Sequence, residues 1–101
     1  MTNEQKALNL LGLATRAGKL VSGEDLTLKQ VRSQQAKVVL IAKDASENTQ
    51  KKISDKCQYY NIPYTVQYSK AELSQAIGKG RTILCLTDSG FAKKIRELLS
   101  I

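Results

Sequence analysis

Two short runs constrain this chain more than any other feature in it: Val38-Val39-Leu40-Ile41-Ala42 and Thr82-Ile83-Leu84-Cys85-Leu86. Neither alternates apolar with polar residues, so each reads as a strand covered on both faces, with helices above and below the sheet. Helical patterns fill the intervals. Thr2 with Gln5 three residues on predicts a capped first helix reaching about Ala17, where Gly18 stops it. Further helices are expected over 24–33, over 47–60 behind Ser46 or Asp44, after the capping box Ser69-Lys70-Ala71-Glu72, and from Asp88 or Ser89 onward. Residues 19–22 and 64–66 add two more extended segments. The expected fold class is α/β: a three-layer α/β/α sandwich with a small mixed, largely parallel four-stranded sheet, formed as a single domain over residues 1–101.

Sixteen Lys and Arg against nine Asp and Glu leave a net charge of +7, which favours an anionic partner, nucleic acid first. The alternative is a protein-interaction module of the translation apparatus that presents the same basic face to an acidic partner. No apolar run approaches the roughly 20 residues of a membrane span, so a cytoplasmic protein without a membrane partner is expected. Cys57 and Cys85 lack C-x-x-C spacing and the chain has no His, so both are read as small core residues, with no metal or cofactor expected. The carboxylates Glu24, Asp25, Asp44 and Asp88 all fall at expected helix starts, where they are structurally useful, and no histidine base is present to activate a thiol. Enzymatic chemistry is therefore not expected. Gly78-Lys79-Gly80-Arg81-Thr82 has neither the spacing of a phosphate-binding loop nor its position after a strand, and it reads as a turn with two exposed cations.

The stretch Ser22-Gly23-Glu24-Asp25-Leu26-Thr27-Leu28-Lys29, entered through Arg16-Ala17-Gly18-Lys19, is the candidate site. It reads as a glycine turn opening a helix, and a helix start offers unpaired N–H groups and a partial positive charge to a phosphate backbone. Two purely structural readings stand beside this one. Ser22 and Asp25 have capping-box spacing, and Asp25 with Lys29 at i, i+4 could form an exposed ion pair contributing about 0.3–0.5 kcal/mol. The tyrosines 59, 60, 64 and 68 could stack on bases, but their position where a helix runs into a strand suits packing with the hydroxyl wet.

Taken in order, Arg16-Ala17-Gly18-Lys19, Gly23-x-Asp25-x-x-x-Lys29, residues 36–45 and Asn61-Ile62-Pro63-Tyr64 resemble the kink-turn-binding ribosomal protein family of the L-seven-Ae type. The leading Leu11-Gly12-Leu13-Ala14 adds a resemblance to its small bacterial YlxQ-like branch. The resemblance implies a monomeric, noncatalytic binder of structured RNA, a ribosomal or kink-turn RNA, working with the ribosome or translation factors. Carried over by position, Gly23, Asp25 and Lys29 would enter the RNA groove and read guanine edges. A loop formed by Thr87, Asp88, Ser89, Gly90 and Phe91 would pack against a flipped nucleotide. Arg16, Lys19 and Lys43 could add phosphate contacts. Where the family's RNA binders carry an Asn-Glu pair, this chain has Asp25-Leu26, an acceptor-only carboxylate followed by an apolar side chain.

Overall fold

The computed structural model describes residues 1–101. Its elements are α1 (Asn3–Arg16), β1 (Leu20–Ser22), α2 (Glu24–Arg32), β2 (Val38–Ile41), α3 (Glu47–Tyr59), β3 (Tyr64–Thr65), α4 (Lys70–Ile77), β4 (Ile83–Leu86) and α5 (Ser89–Leu99). Each expected element is present, with ends shifted by a residue or so where caps and turns set them.

The four strands form one sheet in the order β1-β4-β2-β3. β4 lies antiparallel between β1 and β2, placing Ser22 opposite Leu84 and Ile41 opposite Ile83, while β2 and β3 pair in parallel. The sheet is mixed, as expected, but the parallel majority holds only for strand direction. Three strands point one way, and the reversed one sits between two of them, so a single pairing is parallel. The reason lies in the turn after α4. This eight-residue helix ends at Gly78, whose φ of 83° reverses the chain, and Ser74 Oγ both donates to the Arg81 carbonyl and accepts from its amide. The loop therefore folds back along α4 and enters β4 at the end of the sheet where β3 left it. A parallel crossover would have required the helix to return the chain to the opposite end.

β2 and β4 are buried at every position, which is why their sequences do not alternate. On one face Val38, Leu40, Leu84 and Leu86 pack with α1, α4 and α5 through Leu11, Leu73 and Ile95. On the other, Val39, Ile41, Ile83 and Cys85 pack with α2 and α3 through Leu28, Val31, Ile53 and Cys57. The cysteines are core residues: burial pushes the Cys57 thiol up to about 12, with Cys85 adding to it, and the Cys85 thiol up to about 11. Tyr68 ties the start of α1 to the sheet by donating its hydroxyl to the Glu4 carbonyl at 2.8 Å. Its own pKa is pushed up to about 12, by burial first and then by Glu4 and Glu72.

Candidate nucleic-acid interface

The sheet has two ends, and they divide the candidate residues. At one end β1 stops at Ser22 beside the start of β4, and Gly23 begins α2. The Gly23 amide donates to the Ile83 carbonyl at 2.8 Å, and the residue sits at φ 99°, ψ 154°, backbone that is essentially glycine's alone. This geometry removes both structural readings of the stretch. Ser22 is buried at the end of β1 and does not cap; Gly23 is the N-cap and supplies no side-chain bond. Asp25 and Lys29 form no ion pair: the salt bridges are Lys51–Asp55 and Lys52–Glu24. The first helical bond runs from the Thr27 amide to the Gly23 carbonyl, so the amides of Glu24, Asp25 and Leu26 point out of the helix start without a protein acceptor.

Beside this open start lies the loop between α4 and β4. A methyl group placed on Gly23 would meet Arg81 Nε at 3.9 Å. Lys79, Arg81 and Leu26, with Thr15, Leu20, Val21 and Ser22, line a cleft of about 230 Å³. Leu26 is 56% exposed, an apolar side chain held at the mouth of a cationic cleft. Arg16, the last residue of α1, joins Gly78 along the neighbouring α1/α4 groove, which brings it to the same corner. The loop is anchored by Ser74 on one side and on the other by the Ala42 amide, which donates to the Thr82 carbonyl at 2.8 Å. Two cations are thus held next to a helix start from a fixed backbone.

Lys43 lies at this end too, one residue past Ala42, but across β4 from Gly23. Its charge faces the start of α4, where it helps to hold the Glu72 carboxyl below its usual range; the Ser69 amide, which donates to that carboxylate, is the larger cause. Lys29 and Asp25 are exposed on α2, as the stripe through Arg32 predicts.

Lys19 and the 87–91 loop are elsewhere. The Thr87 amide and hydroxyl both donate to the Lys19 carbonyl, at 3.1 and 3.3 Å, at the far end of β1 and β4. Asp88 there caps α5 by accepting from the Phe91 amide at 2.9 Å, Ser89 and Gly90 open that helix, and Phe91 packs against the α1/α4/α5 core. The structure therefore does not bring these residues to Gly23. It puts Lys79 and Arg81 there, beside Leu26, and the sequence reading left those two cations out of the site. Their signal was visible as a Lys-Gly-Arg string after a helix stop, but its location depends on the direction of β4.

Residues 5–95 match the model of the ribosomal protein L7Ae/L30e/S12e/Gadd45 family. A protein of Enterococcus faecium named RNA-binding protein YlxQ is 54% identical over 97 residues, covering 96% of this chain and 94% of its own length. The protein of the same name in Bacillus subtilis is also 54% identical, over 91 residues, covering 89% of this chain and 91% of its own. Among solved structures, a Bacillus halodurans protein described as of unknown function superposes with a TM-score of 0.91 at 40% identity, covering 95% of this chain and 98% of the other.

Proposed function

Because this chain belongs to the ribosomal protein L7Ae/L30e/S12e/Gadd45 family, in its bacterial YlxQ-like branch, we propose that it is a noncatalytic cytoplasmic binder of structured RNA, with a kink-turn as its target. The observation that carries the reading is the uncapped start of α2 beside Lys79 and Arg81. Three outward amides and two cations can take phosphate oxygens, supplying affinity without sequence preference. Selectivity then falls to the side chains next to them. Asp25 accepts from guanine N–H groups, Lys29 donates to the O6 and N7 acceptors, and Leu26 offers an apolar surface to a base turned out of its stack. Arg16 extends the phosphate contacts along the α1 side of the cleft.

The relatives named for RNA binding cover nearly the whole chain, which leaves the protein-interaction alternative less favoured. An electrophoretic titration of one kink-turn RNA and one plain duplex of equal length tests the reading. Tighter binding to the kink-turn that survives moderate salt is expected, and Lys29→Ala should weaken it without lowering the melting temperature. Equal, weak binding to both RNAs that vanishes with modest salt would reject kink-turn recognition.

A further inference from the structure

The far end of the sheet carries cations and an aromatic ring that the proposed site does not use. β4 is flanked there by Lys19, which precedes Leu20 opposite Leu86, and by Lys37, which precedes Val38 opposite the same residue. The two lysines thus stand in matching register on the strands either side of Thr87, their backbones about 10 Å apart by ordinary strand spacing. Both are exposed, and neither has an ion-pair partner. Next to Lys37 the turn after α3 comes in: the Val39 amide donates to the Pro63 carbonyl at 3.0 Å, and the Ile62 amide closes back on the Cys57 carbonyl. Tyr59 is the last residue of α3, where that turn begins.

Tyr59 is 77% exposed, while Tyr68 is buried and Tyr60 and Tyr64 are half-buried. Its ring meets Tyr60 edge-on, with centroids 4.9 Å apart and planes at 81°, so it is braced without having a parallel stacking partner. Lys56 lies three residues earlier on the same helix face, and the nearest carboxylate of α3, Asp55, is engaged by Lys51 at 3.1 Å. Unpaired cations at the same end of the sheet as an exposed, braced aromatic are the parts of a surface for unpaired nucleotides. The lysines follow the backbone, and the ring receives a base that a duplex would keep in its own stack.

We propose that Lys19, Lys37, Lys56 and Tyr59 form a second RNA surface that takes a single-stranded segment, at the end of the sheet opposite the uncapped start of α2. This rests on the reading of the protein as an RNA binder, and it makes the chain a bridge between a folded RNA element and an unpaired strand.

The test uses the full chain saturated with a kink-turn RNA and a short oligouridylate carrying bromouridine, followed by binding and photocrosslinking. The oligouridylate should still bind and should crosslink to Tyr59. Tyr59→Leu should weaken it about fivefold or more, with Tyr59→Phe within about twofold of wild type. Lys19→Gln with Lys37→Gln should weaken it about tenfold at low salt. All these variants should bind the kink-turn RNA as wild type does. Displacement of the oligouridylate by the kink-turn RNA, or full affinity in Tyr59→Leu, would overturn the second surface. Failure of the kink-turn RNA to bind, with the oligouridylate still bound through Tyr59, would instead overturn the proposed function.

Discussion

Four of the five helices begin under a side-chain acceptor, and one does not. Thr2 and Ser69 close α1 and α4 with complete capping boxes, and Ser46 and Asp88 cap α3 and α5. α2 alone starts from a glycine with nothing over its first amides. A serine or aspartate cap exceeds a glycine by only about a few tenths of a kcal/mol, so the chain forgoes a small increment of stability at this one place. The backbone explains how. The amide of Gly23 still serves the sheet through Ile83, and it can do so at φ 99° only because the residue has no Cβ. A capped helix start is internally complete, whereas an uncapped one beside two cations is complete only when an anionic or acceptor-rich partner fills it.

If that contrast is functional, changes at α2 should damage RNA binding, and changes at the capped starts should damage only stability. The largest effect is expected from Gly23→Ala. The contact at 3.9 Å is an ordinary one, so the damage comes from backbone strain. It should lower stability by about 1–3 kcal/mol, and RNA affinity should fall about tenfold as the start of α2 shifts. Chemical denaturation and a binding titration on the same sample measure both. Next, replacing Lys79 and Arg81 together with Gln should weaken RNA binding about tenfold at low salt and reduce the salt dependence by about two phosphate contacts. Stability should stay within about 0.5 kcal/mol, because Ser74 holds the loop through the Arg81 backbone. A salt slope equal to that of wild type would remove the loop from the interface.

The layers were legible in the sequence because burial writes itself into composition: Val38-Val39-Leu40-Ile41 and Ile83-Leu84-Cys85-Leu86 can only be central strands. The boxes at Thr2 and Ser69 were legible because capping is local, needing residues three apart and no tertiary contact. Ser22 had the same spacing to Asp25 and proved to be strand. What decided between the two was its pairing with Leu84, more than sixty residues away, which no local pattern encodes. The expectation that the 87–91 loop lies beside Gly23 misled in the same way. Lys43, Thr87 and Gly23 all lie at strand ends, and a majority of parallel pairings would have suggested one shared edge. With β4 reversed, its carboxyl end carries Thr87 away from Gly23, while its amino end delivers Arg81 to it.

Ser69→Ala tests the other half of the contrast. Ser69 Oγ accepts from the Glu72 amide at 3.1 Å, and Glu72 accepts from the Ser69 amide at 3.0 Å, so the variant breaks one arm of the box. A loss of about 1 kcal/mol is expected in denaturation, with RNA affinity unchanged. A large loss of RNA affinity here would mean that α4 positions the Lys79–Arg81 loop more tightly than Ser74 alone can.

The smallest effect is expected at the one ion pair that touches the open helix start. Lys52 Nζ lies 3.2 Å from Glu24 Oε1, both groups partly exposed, so the pair contributes no more than about 0.5 kcal/mol. Its position gives it a different use. It draws the first carboxylate of α2 sideways toward α3, away from the amides that a phosphate would approach. Lys52→Met should free Glu24 to compete for those amides and to repel RNA, lowering affinity by about threefold or less, with the difference fading as salt rises. Titrations at low and high salt would measure this. A loss of tenfold or more that persists in Glu24→Gln would show that Lys52 itself touches RNA, and the interface would then have to extend from α2 onto the outer face of α3.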